Sequence, residues 1–69
     1  MERQKVNSSN IDSIGYDSNS MILEIAFLSG GTYQYFNVPK SIFDGIMSAS
    51  SHGSYFHQYI KEKYSYQKV

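Results

Sequence analysis

Sixty-nine residues bound this chain to one domain, near the lower size limit at which a hydrophobic core alone holds a fold together. With no cysteine, disulfides and thiolate metal sites are excluded, so stability has to come from packing or self-association. The formal net charge of +0 excludes the strong field of a highly basic nucleic-acid binder, and no apolar run approaches membrane-spanning length.

The opening MERQKVNSSN is polar and lacks an apolar signal core. Residues 1–9 are therefore expected to fray, and a cytoplasmic location is expected. Ile11 to Tyr16 reads as a short strand, followed by the turn cluster Asp17-Ser18-Asn19-Ser20. Met21 to Leu28 is the clearest strand. Met21, Leu23, Ile25 and Phe27 share one face by the two-residue period, with Ile22, Glu24, Ala26 and Leu28 opposite. A sheet apolar on both faces asks for cover on both. Helices can supply one cover; a second subunit is expected on the other, making a homo-oligomer such as a dimer or tetramer.

Ser29-Gly30-Gly31 is a hairpin connection, since glycine accepts positive φ cheaply. Thr32 to Asn37 follows as a third strand, with Tyr33 and Tyr35 on one face and Gln34 and Phe36 on the other. Pro39 suits the first position of a helix, where its missing N–H costs nothing. Ile42, Phe43, Ile46 and Met47 then recur at helical spacing. Gly45 within that helix marks a weak spot or a place of close packing. After the polar break Ser48 to Gly53, a second helix is expected to start at Gly53 or Ser54 with Ser54 as N-cap, carrying Tyr55, Phe56, Tyr59, Ile60 and Lys63. The tail from Tyr64 to Val69 alternates apolar and polar, which fits an added strand or an extended run. The predicted fold is α+β: a three-stranded antiparallel β-meander followed by two short helices packed on one face, a single domain over residues 1–69.

Charge is uneven along the chain. Residues 1–10 carry +1, residues 11–52 carry −3 and residues 53–69 carry +2. The sharpest candidate for a ligand site is Ser51 to Phe56, a helix start whose amides can hold a phosphate, with Gly53 allowing close approach and Ser51 and Ser54 adding hydroxyls. Tyr33 and Tyr35 can stack on a base. Tyr16 with Ser8, Ser9 and Asn10 can form an opposite wall. Lys61 and Lys63, at the end of the second helix, can add positive charge. Each of these also has a structural role open to it: an ordinary cap, cross-strand packing, turn chemistry, a solvated face.

Catalysis is not expected. His52 and His57 fall on different helix faces, the acidic residues form no pattern around them, and no metal ligand set is recognisable. Twelve serines include no nucleophile motif. No cofactor is called for.

Several short signals occur in a fixed order. They are Ser8-Ser9-Asn10-Ile11, Ile14-Gly15-Tyr16-Asp17, Leu23-Glu24-Ile25-Ala26-Phe27, Ser29-Gly30-Gly31-Thr32-Tyr33-Gln34-Tyr35, Val38-Pro39, Gly53-Ser54-Tyr55-Phe56, Ile60 and Tyr64. In this order and spacing they resemble the KTSC domain family. That family is found at the C-terminus of some lysyl-tRNA synthetases and as small stand-alone proteins of bacteria and phages. The resemblance implies a fold more than an activity. It suggests RNA binding from the synthetase context. A looser likeness is to viral sponges that sequester cyclic nucleotide signals of bacterial immunity, as anti-CBASS proteins do. Family tails often carry more arginine than Lys61-Glu62-Lys63 does here.

The sequence therefore points first to a non-catalytic, oligomeric nucleotide-binding protein. Its expected partner is a cyclic oligonucleotide, stacked on Tyr33 or Tyr35, with phosphate held at Gly53 and Ser54 and charge from Lys61 or Lys63. An RNA- or tRNA-binding module, and a protein interaction domain without a small ligand, are the alternatives. No membrane partner is expected.

Overall fold

The computed structural model describes residues 1–69. In chain order the elements are β1 (Gln4–Lys5), β2 (Ile11–Asp17), β3 (Ile22–Phe27), β4 (Thr32–Tyr35), α1 (Lys40–Ser48), α2 (His52–Tyr59) and β5 (Tyr66–Lys68). All five strands join one antiparallel sheet in the order β1-β2-β3-β4-β5. The α+β class and the central meander are as expected, but the sheet has five strands rather than three. Residues 4–5 do not fray: they pair with Ile14 and Ser13 of β2. The tail does not run free either. It pairs Tyr66 with Tyr35 and Lys68 with Tyr33, so the helices lie between β4 and β5 in the chain.

One sheet face carries the core. Ile11, Ile14, Leu23, Ile25 and Tyr35 from the strands meet Ile46, Phe56 and Ile60 from the helical half, with Val38 between. A bulge at Asp12, where Ile11 opposes Phe27 and Ser13 opposes Ala26, lets both Ile11 and Ile14 point inward despite their odd spacing. The helix α1 begins at Lys40, with Pro39 as its extended N-cap, one residue later than expected. Gly45 is a place of close packing, because the Tyr55 ring of α2 lies against it.

The opposite face is not the bare apolar surface that the alternation in β3 suggested. Glu24, 7% exposed, lies there and is engaged twice: Gln34 Nε2 donates to it at 2.8 Å and the Arg3 guanidinium pairs with it. Arg3 also donates to Ser13 Oγ at 2.9 Å. These contacts give β1 its anchor and satisfy the polar side chains on this face.

Burial pushes the Glu24 carboxyl up. The hydrogen bonds from Gln34 and Arg3, with the guanidinium charge, outweigh that and hold it below the ordinary value. A depressed carboxylate contributes stability above its unfolded pKa of about 4.3 and loses it as pH falls through the folded value. The melting temperature is therefore expected to drop on acidification below about pH 4.3. Glu24→Gln should flatten part of that limb; an identical acid profile in the variant would refute the role given to Glu24. Asp12, held low by Lys5 and Ser13, and Asp17, held low by Ser20 and Asn19, shift in the same direction.

Candidate functional site

The N-terminus of α2 is built differently from the expectation. The helix starts at His52, and Ser51 rather than Ser54 is the N-cap, its hydroxyl accepting the Ser54 N–H at 3.2 Å. The Tyr55 N–H goes to the Ser51 carbonyl. The amides left at this helix start are those of His52 and Gly53. The Cα of Gly53 faces a side chain of the protein: a Cβ there would lie 2.9 Å from Asn10 Nδ2. Asn10 is itself held in place, its N–H by Ser8 Oγ at 3.1 Å and its carbonyl by the Leu28 N–H at 2.9 Å. The His52 ring is spent on packing, with Nδ1 2.6 Å from the Ile46 carbonyl at the end of α1.

Three adjoining hollows run from this point along the side of the molecule. The first, of about 290 Å³, has no apolar lining and holds Ser9, Asn10, Ser51, Gly53, Ser54 and His57. The second, of about 320 Å³, shares Ser9, Asn10, Gly53 and His57 with it and adds Phe27, Phe56 and Lys61. The third, of about 530 Å³, shares Phe27, Phe56 and Lys61 with the second and opens onto Tyr33, Tyr35, Tyr66 and Glu62. Together they form a groove, polar at the α2 start and aromatic at the β4–β5 end, with Lys61 at the junction.

The aromatic end is a connected set of rings. Phe27 meets Tyr33 and Phe56 edge-on at 5.7 and 5.3 Å between centroids, and Tyr66 lies 5.9 Å from Tyr33 and 5.7 Å from Tyr35. The two expected stacking tyrosines differ. Tyr35 is a core residue, 5% exposed, with its hydroxyl pushed up to about 12 by burial and by the Tyr33 and Tyr66 hydroxyls. It stays protonated throughout the neutral range. Tyr33 is half-buried and Tyr66 is 61% exposed, so these two rings offer faces to a ligand.

Of the residues singled out from the sequence, Tyr33, Tyr35, Ser51, Gly53, Ser54, Ser9, Asn10 and Lys61 line this groove. Tyr16 does not. It stacks on Phe43 at 5.1 Å and its hydroxyl donates to the Val38 carbonyl at 2.5 Å, which fixes it beneath α1. Lys63 lines none of the hollows and, like Lys61, lies in the turn after α2 rather than on the helix. Sequence reasoning missed Tyr66, Phe27, Phe56, His57 and Glu62. The alternating tail was the available signal for Tyr66.

A family model for the KTSC domain matches residues 7–64, the span from β2 through α2. The chain belongs to the KTSC domain family. A crystal structure of a KTSC domain protein from Yersinia pestis is similar to it with a TM-score of 0.97 and 47% identity, covering 99% of this chain and 96% of that one. An uncharacterized protein of Stutzerimonas stutzeri is 37% identical over 70 residues, covering 100% of this chain and 99% of its own length. A lysine--tRNA ligase of Trichormus variabilis is 39% identical over 54 residues, which cover 78% of this KTSC domain and only 10% of the ligase. No helix of the domain is long and apolar enough to cross a membrane.

Proposed function

We propose that this KTSC domain is a non-catalytic nucleotide-binding module. The observation that carries the proposal is the continuity of the groove: aromatic faces at one end, hydroxyls and amides at the other, and Lys61 where the two meet. Bases gain from stacking on aromatic rings, and phosphates gain from lysine and free backbone amides. Glu62 is the one carboxylate lining the groove, and no base and nucleophile are paired within it. A captured nucleotide is held without being changed. Holding without conversion amounts to sequestration, and a cyclic oligonucleotide signal is the ligand for which sequestration matters most. Homo-oligomerisation would multiply the sites and suit a two-fold ligand.

The similarity to a segment of lysine--tRNA ligases favours a second reading, in which the same groove takes single-stranded RNA. The near-neutral charge of the chain weighs against a long phosphate track.

A thermal-shift panel of cyclic di- and trinucleotides, linear dinucleotides, a tRNA and a short RNA, with native mass read in parallel, separates these readings. A ligand that binds only the folded state raises the melting temperature. A rise with a cyclic oligonucleotide recovered intact supports sequestration. A rise with RNA alone, lost as salt increases, transfers the proposal to RNA. With no rise for any nucleotide, the groove is a protein contact. Tyr33→Ala is expected to weaken nucleotide binding by about 1–3 kcal/mol while leaving the native mass unchanged, because it removes a stacking face from the half-buried rim. Unaltered affinity would remove Tyr33 from the site.

A further inference from the structure

We propose that Glu62 selects guanine as the base held at the aromatic end of the groove; this rests on the nucleotide-binding reading above. Glu62 lines the same hollow as Tyr33, Tyr66 and Phe27. Its carboxylate is unengaged: the three ion pairs of the chain use Glu24, Asp12 and Asp44. Its backbone sits at φ +63, in the left-handed region. Glycine or asparagine would hold that conformation at lower cost. A glutamate there is exposed and fills no core space, so what it adds to the position is a carboxylate at the mouth of the aromatic hollow.

The donor pattern of the bases decides what that carboxylate recognises. An ionised carboxylate only accepts hydrogen bonds, and it can accept two side by side. Guanine presents two adjacent donors on its Watson–Crick edge, N1–H and the 2-amino group. Adenine and cytosine each set one amino donor beside a ring nitrogen acceptor, whose lone pair opposes a carboxylate. Uracil sets its one N–H between two carbonyl oxygens. A base lying on Tyr33 or Tyr66 with its Watson–Crick edge toward Glu62 therefore gains two charge-assisted hydrogen bonds only when it is guanine. Lys61, at the junction with the polar half of the groove, is then placed for the 5′-phosphate. The adjacent pair divides the work: one side chain reads the base and the other neutralises the phosphate.

The test is an NMR titration of the full chain with GMP, IMP and AMP at fixed neutral pH and salt, for the wild type, E62Q and E62G. GMP is expected to bind about tenfold more tightly than AMP, with IMP between them because it keeps N1–H and lacks the 2-amino group. In E62Q and in E62G, whose glycine suits the positive φ, the ratio of AMP to GMP dissociation constants should fall to about twofold or less. Equal binding of GMP and AMP by the wild type overturns the assignment and leaves the nucleotide groove standing. So does a preference that survives both substitutions, or a parallel loss of both ligands. If no nucleotide perturbs any groove resonance, the nucleotide-binding reading and the guanine assignment fail together.

Discussion

Phe56→Ala is expected to leave the chain without a cooperative unfolding transition at room temperature. Phe56 is 7% exposed and is the ring on which the strands and α2 meet, edge-on to Phe27 at 5.3 Å and to Tyr35 at 5.6 Å. Truncating a buried phenylalanine costs about 3–5 kcal/mol, from lost transfer energy and from the cavity left behind. A single core below about 70–80 residues supplies about 3–5 kcal/mol in all. The loss is therefore comparable to the whole stability of a chain of this size, with no disulfide to offset it. Phe56→Leu keeps most of the buried volume and should melt cooperatively at a lower temperature. Circular dichroism on heating reads both variants. Phe56→Ala melting within about 5 °C of the wild type would show that the core closes without this ring.

Gly45→Ala is expected to destabilise the domain by about 1–3 kcal/mol, against the sign of helix propensity. In an open helix the change would gain about 1 kcal/mol. Here a Cβ would run into the Tyr55 hydroxyl and come within 2.9 Å of its ring carbon Cε2. Tyr55 is not free to swing away at no cost, since it is half-buried and its ring packs at a tilt against Tyr59, 4.5 Å between centroids. A double-mutant cycle isolates the contact. In a Tyr55→Ala background the obstacle is gone, and Gly45→Ala should become neutral or stabilising. Additive effects in that cycle would mean that the two helices do not meet through this pair.

What the sequence made legible follows from how local each signal is. β3 and β4 announce themselves by two-residue alternation around a glycine hairpin, and α1 by its apolar stripe. β1 has no such signature, because two exposed residues cannot show a period. Its place is set by Arg3 reaching Glu24, a partner 21 positions away. β5 did alternate, but what fixes it is the row of backbone bonds to β4, including Phe36 N–H to Ser65 carbonyl at 2.9 Å and Val69 N–H to Thr32 carbonyl at 2.8 Å. The start of α2 was misplaced because Ser51 and Ser54 are equally competent caps by residue type, and only the chain path out of α1 decides between them. The polar half of the candidate site was therefore readable as Ser9, Asn10 and Gly53. The aromatic half was readable only in part, since Tyr66 joins Tyr33 through long-range pairing.

The order of the strands bears on how this domain is made. β1 to β4 each lie beside their predecessor, so a nascent chain can zip the sheet from its N-terminal side as the ribosome delivers it. β5 also lies beside its predecessor but comes late, because both helices are synthesised before Tyr66 can reach Tyr35. A chain interrupted before residue 66 would present the unpaired edge of β4, with Tyr33 and Tyr35 beside it, to whatever strand it met. Tyr66, which lines the aromatic hollow beside Tyr33, arrives only with the final strand, so the groove is completed by the same step that closes this edge.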